Sequence, residues 1–204
     1  TSRAVIQHDL SSDSNVYASL SEGFKAGGYA TYECTEPYDP EEVTSLEFGF
    51  KGSLSENTSL NASLFRYDYT DFQVLQVVGI QTVTRNADDA TVNGLEIEAL
   101  SNVNDSLAIN YGLTLLDATY GEFLNTNGIQ PQLGEQQLDG NYLTNAPKVS
   151  INLGLNYTSP MASGASLTYR ANASYKSRIY FSEFNEYSQD AYTIVDLNLI
   201  WESA

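Results

Sequence analysis

Apolar and polar residues alternate along much of this chain with a period of two. In Leu46-Glu47-Phe48-Gly49-Phe50-Lys51 the even positions are apolar and the odd ones polar or Gly. After the polar stretch 53–58 the alternation resumes as Leu60-Ala62-Leu64 against Ser59-Asn61-Ser63. A period of two places the two sets on opposite faces of a pleated strand, so 46–73 reads as a hairpin with one apolar and one polar face. Its second strand runs on through Phe65, Tyr67, Tyr69 and Phe72, where a break in phase marks a bulge. The same alternation recurs in Val16-Ala18-Leu20, in Leu95-Ile97-Ala99 and along Leu107 to Leu115. It recurs again along Leu167 to Tyr175 and Val195 to Trp201, and is cleanest from Val149 to Tyr157. The chain therefore predicts about eight strands and no helix.

The connections between these strands alternate in length. Those at 53–58, 102–106 and 159–165 are short, whereas those at 25–43, 79–91, 121–146 and 182–190 are long and polar. An antiparallel up-and-down meander that crosses a barrier has this asymmetry, with short turns on one side and long loops on the other. The predicted fold is thus all-β, part of a transmembrane β-barrel. The two faces agree: Leu, Ile, Val, Ala, Tyr and Phe suit a lipid-facing band, and Ser, Asn, Thr and Gly with a few charges are too hydrophilic for a dry core. Tyr157, Tyr175, Tyr192 and Trp201 fall near strand ends, where an interfacial aromatic girdle sits. Inverted, the same alternation describes a soluble β-sandwich binding module with its apolar faces inside.

Composition narrows the function. The 204 residues carry a net charge of −17, with no Lys/Arg cluster to neutralise phosphates, so nucleic acid is not a partner. Cys34 is the only cysteine, which rules out an internal disulfide and leaves either a free thiol or a partner outside this stretch. His8 is the only histidine, which removes the His-pair metal sites and leaves any histidine-based triad with one candidate near the chain start. No run of about 18 apolar residues marks a transmembrane helix. The carboxylate pairs Glu41-Glu42 and Glu96/Glu98 lack a partnering base or nucleophile. Asp88-Asp89 and Asp68/Asp71 fit no calcium-loop spacing. The reading is not an enzyme, with no cofactor and no metal site.

Several segments, in order, resemble the C-terminal barrel of TonB-dependent outer-membrane receptors. They are Tyr17 to Tyr29 (YASLSEGFKAGGY), Tyr38-Asp39-Pro40-Glu41, Leu46 to Lys51, and Leu60 to Phe65 with Asp68 to Val74. Asn86-Ala87 with Asn93 to Glu98, Asn145 to Lys148 and Tyr192 to Leu197 continue the series to near the end of the chain. The family's Asn-Ala-Gly-x-Ala stands here as Asn86-Ala87-Asp88-Asp89-Ala90, a change within a loop.

The resemblance implies a barrel of about 22 strands, preceded by a plug and a TonB-contacting box. Residues 1–204 are then part of that single barrel domain, about eight neighbouring strands, without plug or terminal strands. It also implies a location in the bacterial outer membrane, lipid as a partner, and coupling to the TonB complex through the plug. The implied activity is active uptake of a scarce substrate, foremost a ferric siderophore. Ligand-contact candidates lie in the long loops: Tyr29, Tyr32 and Tyr38 in the first, Arg85 and Asn86 in the second, facing an anionic iron chelate. Glu47, Lys51, Glu96, Glu98, Arg170 and Lys176 on the polar face become lumen-facing charges, with Arg170 and Lys176 expected to pair with carboxylates on adjacent strands. A self-contained eight-stranded outer-membrane barrel with a structural or adhesive role is the alternative within the membrane class.

Overall fold

The computed structural model describes residues 1–30, 33–78 and 81–204, with side chains at all of these except 30, 33–36, 77–78 and 82. Nine strands form one antiparallel sheet in which each strand pairs with the next along the chain. They are β1 (Arg3–Asp9), β2 (Ser14–Lys25), β3 (Glu41–Ser55), β4 (Thr58–Val78) and β5 (Gln81–Asn104). The meander continues through β6 (Leu107–Tyr120), β7 (Val149–Pro160), β8 (Ser166–Lys176) and β9 (Tyr192–Glu202). The strand beyond the eight predicted from sequence is β1, whose Ala4, Ile6 and His8 continue the apolar face opposite Leu20, Ala18 and Val16.

Register turns the alternation of each strand into rows across the sheet. Val16, Phe50, Ala62, Ile97, Leu113, Ile151 and Tyr175 are successive cross-strand partners and share the apolar face. One residue along, Tyr17, Gly49, Ser63, Glu96, Thr114, Ser150 and Lys176 form the neighbouring polar row, which ends on Tyr192. Tyr192 is thus a polar-face residue and does not belong to the apolar-face girdle. On the apolar face, Tyr157 and Tyr169 lie 6.1 Å apart near the short turns, with Trp201 opposite Leu167 beside them.

No second layer covers the apolar face among the described residues. Leu64, Leu153 and Leu197 are 59%, 51% and 76% exposed, in the middle of their strands. A soluble sandwich would bury that surface against another sheet. Nor do β1 and β9 pair with one another to close a small barrel. The sheet is an open wall, and its bare face has the chemistry of hydrocarbon.

On the polar face, close packing comes from rings laid over glycines. Tyr17 faces Gly49 on β3 and Phe65 faces Gly94 on β5. A Cβ on either glycine would stand 2.4 Å and 2.2 Å from those rings, so only Gly admits them.

The stretch at 79–91, expected to be a polar connection, is largely strand. β4 and β5 have 21 and 24 residues, about twice the 9–11 that cross a bilayer, and they pair over almost their whole length. Backbone hydrogen bonds hold this extension, and above the bilayer no lipid face imposes an apolar alternation. At Asp71 the backbone takes φ 53° and the Asp71–Asp88 pair drops out of the ladder, which brings Tyr69 and Phe72 onto one face. The break in phase read as a bulge is thus a local backbone reversal without a bulge, since the register is the same on either side of it.

Candidate ligand site among the long loops

Buried apolar side chains gather at the long-loop end. Val74, Ala87, Ala90, Ala118, Tyr120, Phe123, Leu138 and Leu143 form a small core between the β4–β5 extension and the connection 121–148. Tyr120 is its centre, 2% exposed, with its ring 6.1 Å from Phe72 and 5.6 Å from Phe123. The connection is held by backbone bonds as well: Leu143 N–H donates to the carbonyl of Ala118, and Leu138 N–H to that of Phe123.

Side-chain amides tie the other loops to this core. Asn185, at φ 56°, accepts from the Tyr142 N–H at 2.7 Å and donates to the Tyr142 carbonyl at 2.9 Å, pairing like a strand residue. Asn127 and Gln130 donate to the Glu186 carboxylate at 2.5 and 3.3 Å. On the other side of the extension, Gln73 Nε2 donates to the carbonyls of Ala26 and Asp39, and Asn86 Nδ2 donates to those of Asp39 and Asp71. Connections that read only as long and polar are therefore tied to one another.

Between them lies a cavity of about 510 Å³, lined by Tyr38, Arg85, Asn86, Gln76, Phe123 and Asn125 among others. It sits beside the part of β5 that has outrun β6, whose pairing ends at Ala90–Tyr120. Three of the sequence candidates, Tyr38, Arg85 and Asn86, converge here. The Asn86 amide is already engaged with loop backbone, so it shapes the wall. Tyr29 is 62% exposed and outside the cavity lining; Tyr32 and the side chain of Cys34 lie outside the described residues. Gln76, Phe123 and Asn125 were missed by sequence reading, although the Gly, Gln and Asn content of 121–145 was a signal for Asn125. Gln76 Nε2 donates to Asn125 Oδ1 at 2.8 Å and to the Thr126 carbonyl, which fixes this wall. A second groove, about 580 Å³, lies on the bare face among Ile6, Val16, Phe48 and Leu64, and its lining suits lipid chains.

The polar-face charges fall into separate groups. Tyr17 Oη donates to Glu47 at 2.5 Å, and the Lys51 ammonium stands 5.1 Å from the Tyr17 ring centroid, so the ring links the two charges. Glu96 and Glu98 line the same small recess. Arg170 does not find a carboxylate: it donates to Asn156 Oδ1 at 3.3 Å, because both of its register partners, Asn156 and Asn198, are amides. Lys176 likewise has no ion pair among the described residues, whose two ion pairs are Arg66–Asp68 and Arg178–Asp190.

Glu183 is 7% exposed and accepts from Asn125 Nδ2 at 3.3 Å. Burial raises its carboxyl above the ordinary 4.5, and the Glu186 carboxylate adds to that. The Tyr120 phenol, buried and near Glu183, is pushed up to about 12. Because the folded pKa of Glu183 lies above its unfolded value, the folded loop binds more protons in that window. Loop stability should therefore fall as pH rises from about 4.5 through the folded value. Hydrogen exchange in 177–191, corrected for intrinsic rates, should show protection that declines over this range and becomes flat in Glu183→Gln. An unchanged pH dependence in the variant would exclude Glu183 as its source.

An open antiparallel wall with a bare apolar face, a polar opposite face and long folded loops at one end is the wall of an outer-membrane β-barrel. The chain belongs to the TonB dependent receptor-like β-barrel family, whose model matches residues 1–203. That family is one of receptors and transporters of the bacterial outer membrane, with the long loops extracellular.

Among solved structures, the ferric yersiniabactin uptake receptor FyuA from Yersinia pestis matches with a TM-score of 0.80 at 19% identity, over 99% of this chain and 29% of that one. The ferric preacinetobactin receptor BauA from Acinetobacter baumannii matches at 0.73 and 20% identity, over 99% and 29%. The copper transporter OprC matches at 0.71 and 15% identity, over 99% and 31%. At these identities the likeness shows the fold, and the chain spans less than a third of each. A search of curated protein sequences returns no significant match.

Proposed function

We propose that this chain supplies wall and extracellular loops to a TonB-dependent receptor that imports a ferric siderophore across the outer membrane. In this reading β1 and β9 pair with further strands of a barrel of about 22. A plug elsewhere in the longer protein contacts the TonB complex. The polar face, with Glu47, Lys51, Glu96, Glu98, Arg170 and Lys176, lines the lumen. The observation that carries the reading is the cavity of about 510 Å³ held by fixed loops at the mouth of the wall, a preformed site of ligand size. FyuA and BauA are named as receptors for ferric yersiniabactin and ferric preacinetobactin, and a further match of similar fold is named as the siderophore receptor PiuA, which supports this cargo.

The role of the cavity residues follows from their chemistry. Arg85 and the Tyr38 hydroxyl offer donors, Phe123 offers an apolar surface, and Tyr29 stands outside as an approach contact. The test is uptake of radiolabelled ferric siderophore by iron-starved cells making the full receptor. Uptake should require both the receptor and TonB. In the receptor, Arg85→Ala with Tyr38→Ala should weaken substrate binding by roughly tenfold or more. Iron uptake that persists without TonB, or binding indifferent to both substitutions, would refute the assignment.

A further inference from the structure

The charge of the long loops bears on which ferric complexes this receptor can accept. Each of the four connections at the extracellular end (25–41, 71–89, 121–148 and 177–191) holds one basic residue against three or four acidic ones. The basic residues are Lys25, Arg85, Lys148 and Arg178. Two of these cations, Arg178 and Lys148, are already engaged within the loops. Arg178 binds Asp190 at 2.6 Å, and Lys25 stands opposite Glu41 in register. Lys148 bonds the Tyr142 hydroxyl, with its ammonium 3.9 Å from that ring centroid. Arg85 shares its cavity with Glu135, and the other polar groups there are amides and hydroxyls.

The cavity lining is thus near neutral, and the four connections at this end carry an excess of carboxylates over cations. A negative field over a binding mouth lowers the local concentration and on-rate of anions and raises those of cations. Screening over about 8 Å at physiological salt weakens this effect without reversing its sign.

We infer that the site takes a neutral or cationic ferric complex bound through hydrogen bonds, and rejects multiply anionic ones. Three singly charged hydroxamate-type groups balance Fe³⁺, and an added ammonium makes the complex cationic. Three doubly charged catecholates leave it at net 3−. This inference rests on the ferric-siderophore reading and narrows it.

The test uses the full receptor reconstituted in lipid nanodiscs, titrated with two probes at low and physiological salt. One is a linear ferric trihydroxamate bearing a free ammonium group, the other a ferric tricatecholate. The trihydroxamate should bind at least about tenfold more tightly, with an advantage that shrinks as salt rises. Glu135→Gln should narrow the gap by weakening the cationic complex or strengthening the anionic one. Tighter tricatecholate binding, or a preference insensitive to salt and to Glu135→Gln, would overturn the charge selection while leaving the ferric reading standing. If the folded receptor binds neither ferric complex, both fall.

Discussion

Arginine at Leu153 should destabilise the folded receptor in phospholipid by about 2–4 kcal/mol, the cost of a cation at mid-depth on a barrel's lipid face. Leu153 lies mid-strand on β7 between Tyr111 and Ala173, all on the bare face. The matched control is Asn172→Arg on β8, on the polar face opposite Asp196 and Gly154. There the cation meets water and a carboxylate, and stability should change by less than about 0.5 kcal/mol. Reversible denaturant unfolding in phospholipid vesicles measures both. Equal effects, or the larger one at Asn172, would show that the faces have been assigned the wrong way round.

Tyr120→Ala should have a comparable but local effect. It removes the central ring of the loop core and leaves a cavity between Phe72 and Phe123, at a cost of about 3–5 kcal/mol to that core. The wall does not depend on it, since β2 to β8 are joined by continuous ladders below Tyr120. The variant should therefore insert and keep its barrel. Connections 121–148 and 177–191 should lose hydrogen-exchange protection and become sensitive to protease. Substrate binding should weaken with them, because Phe123 and Asn125 line the cavity. Loss of barrel insertion together with the loops would mean that the two are one cooperative unit.

Where lipid constrains one face of a strand, the sequence carries the answer. Leu46 to Lys51, Val149 to Tyr157 and Leu167 to Tyr175 each show their strand and its two faces, because an apolar surrounding on one side enforces a period of two residue by residue, and the alternation of short and long connections adds the membrane class. The short turns were legible for the same reason, as breaks in that period.

Above the bilayer the constraint disappears. The strand at 81–91 was hidden because its stability comes from pairing with β4, a contact that local alternation does not record. Tyr192 read as a girdle residue from its place near a strand end, and its pairing with Lys176 put it on the polar face. Arg170 was expected to meet a carboxylate, but register decided its neighbours, and they are Asn156 and Asn198. The cavity is the extreme case. Tyr38, Arg85 and Asn86 could be named as loop polar residues, yet their convergence with Gln76, Phe123 and Asn125 depends on Tyr120 burying itself among distant loops. The sequence by itself determined eight of the nine strands, their two faces and the membrane they cross, since lipid imposes a local periodicity on each strand and a length asymmetry on the connections. Only the tertiary structure decided the site, because contacts between loops far apart in the chain leave no period to read.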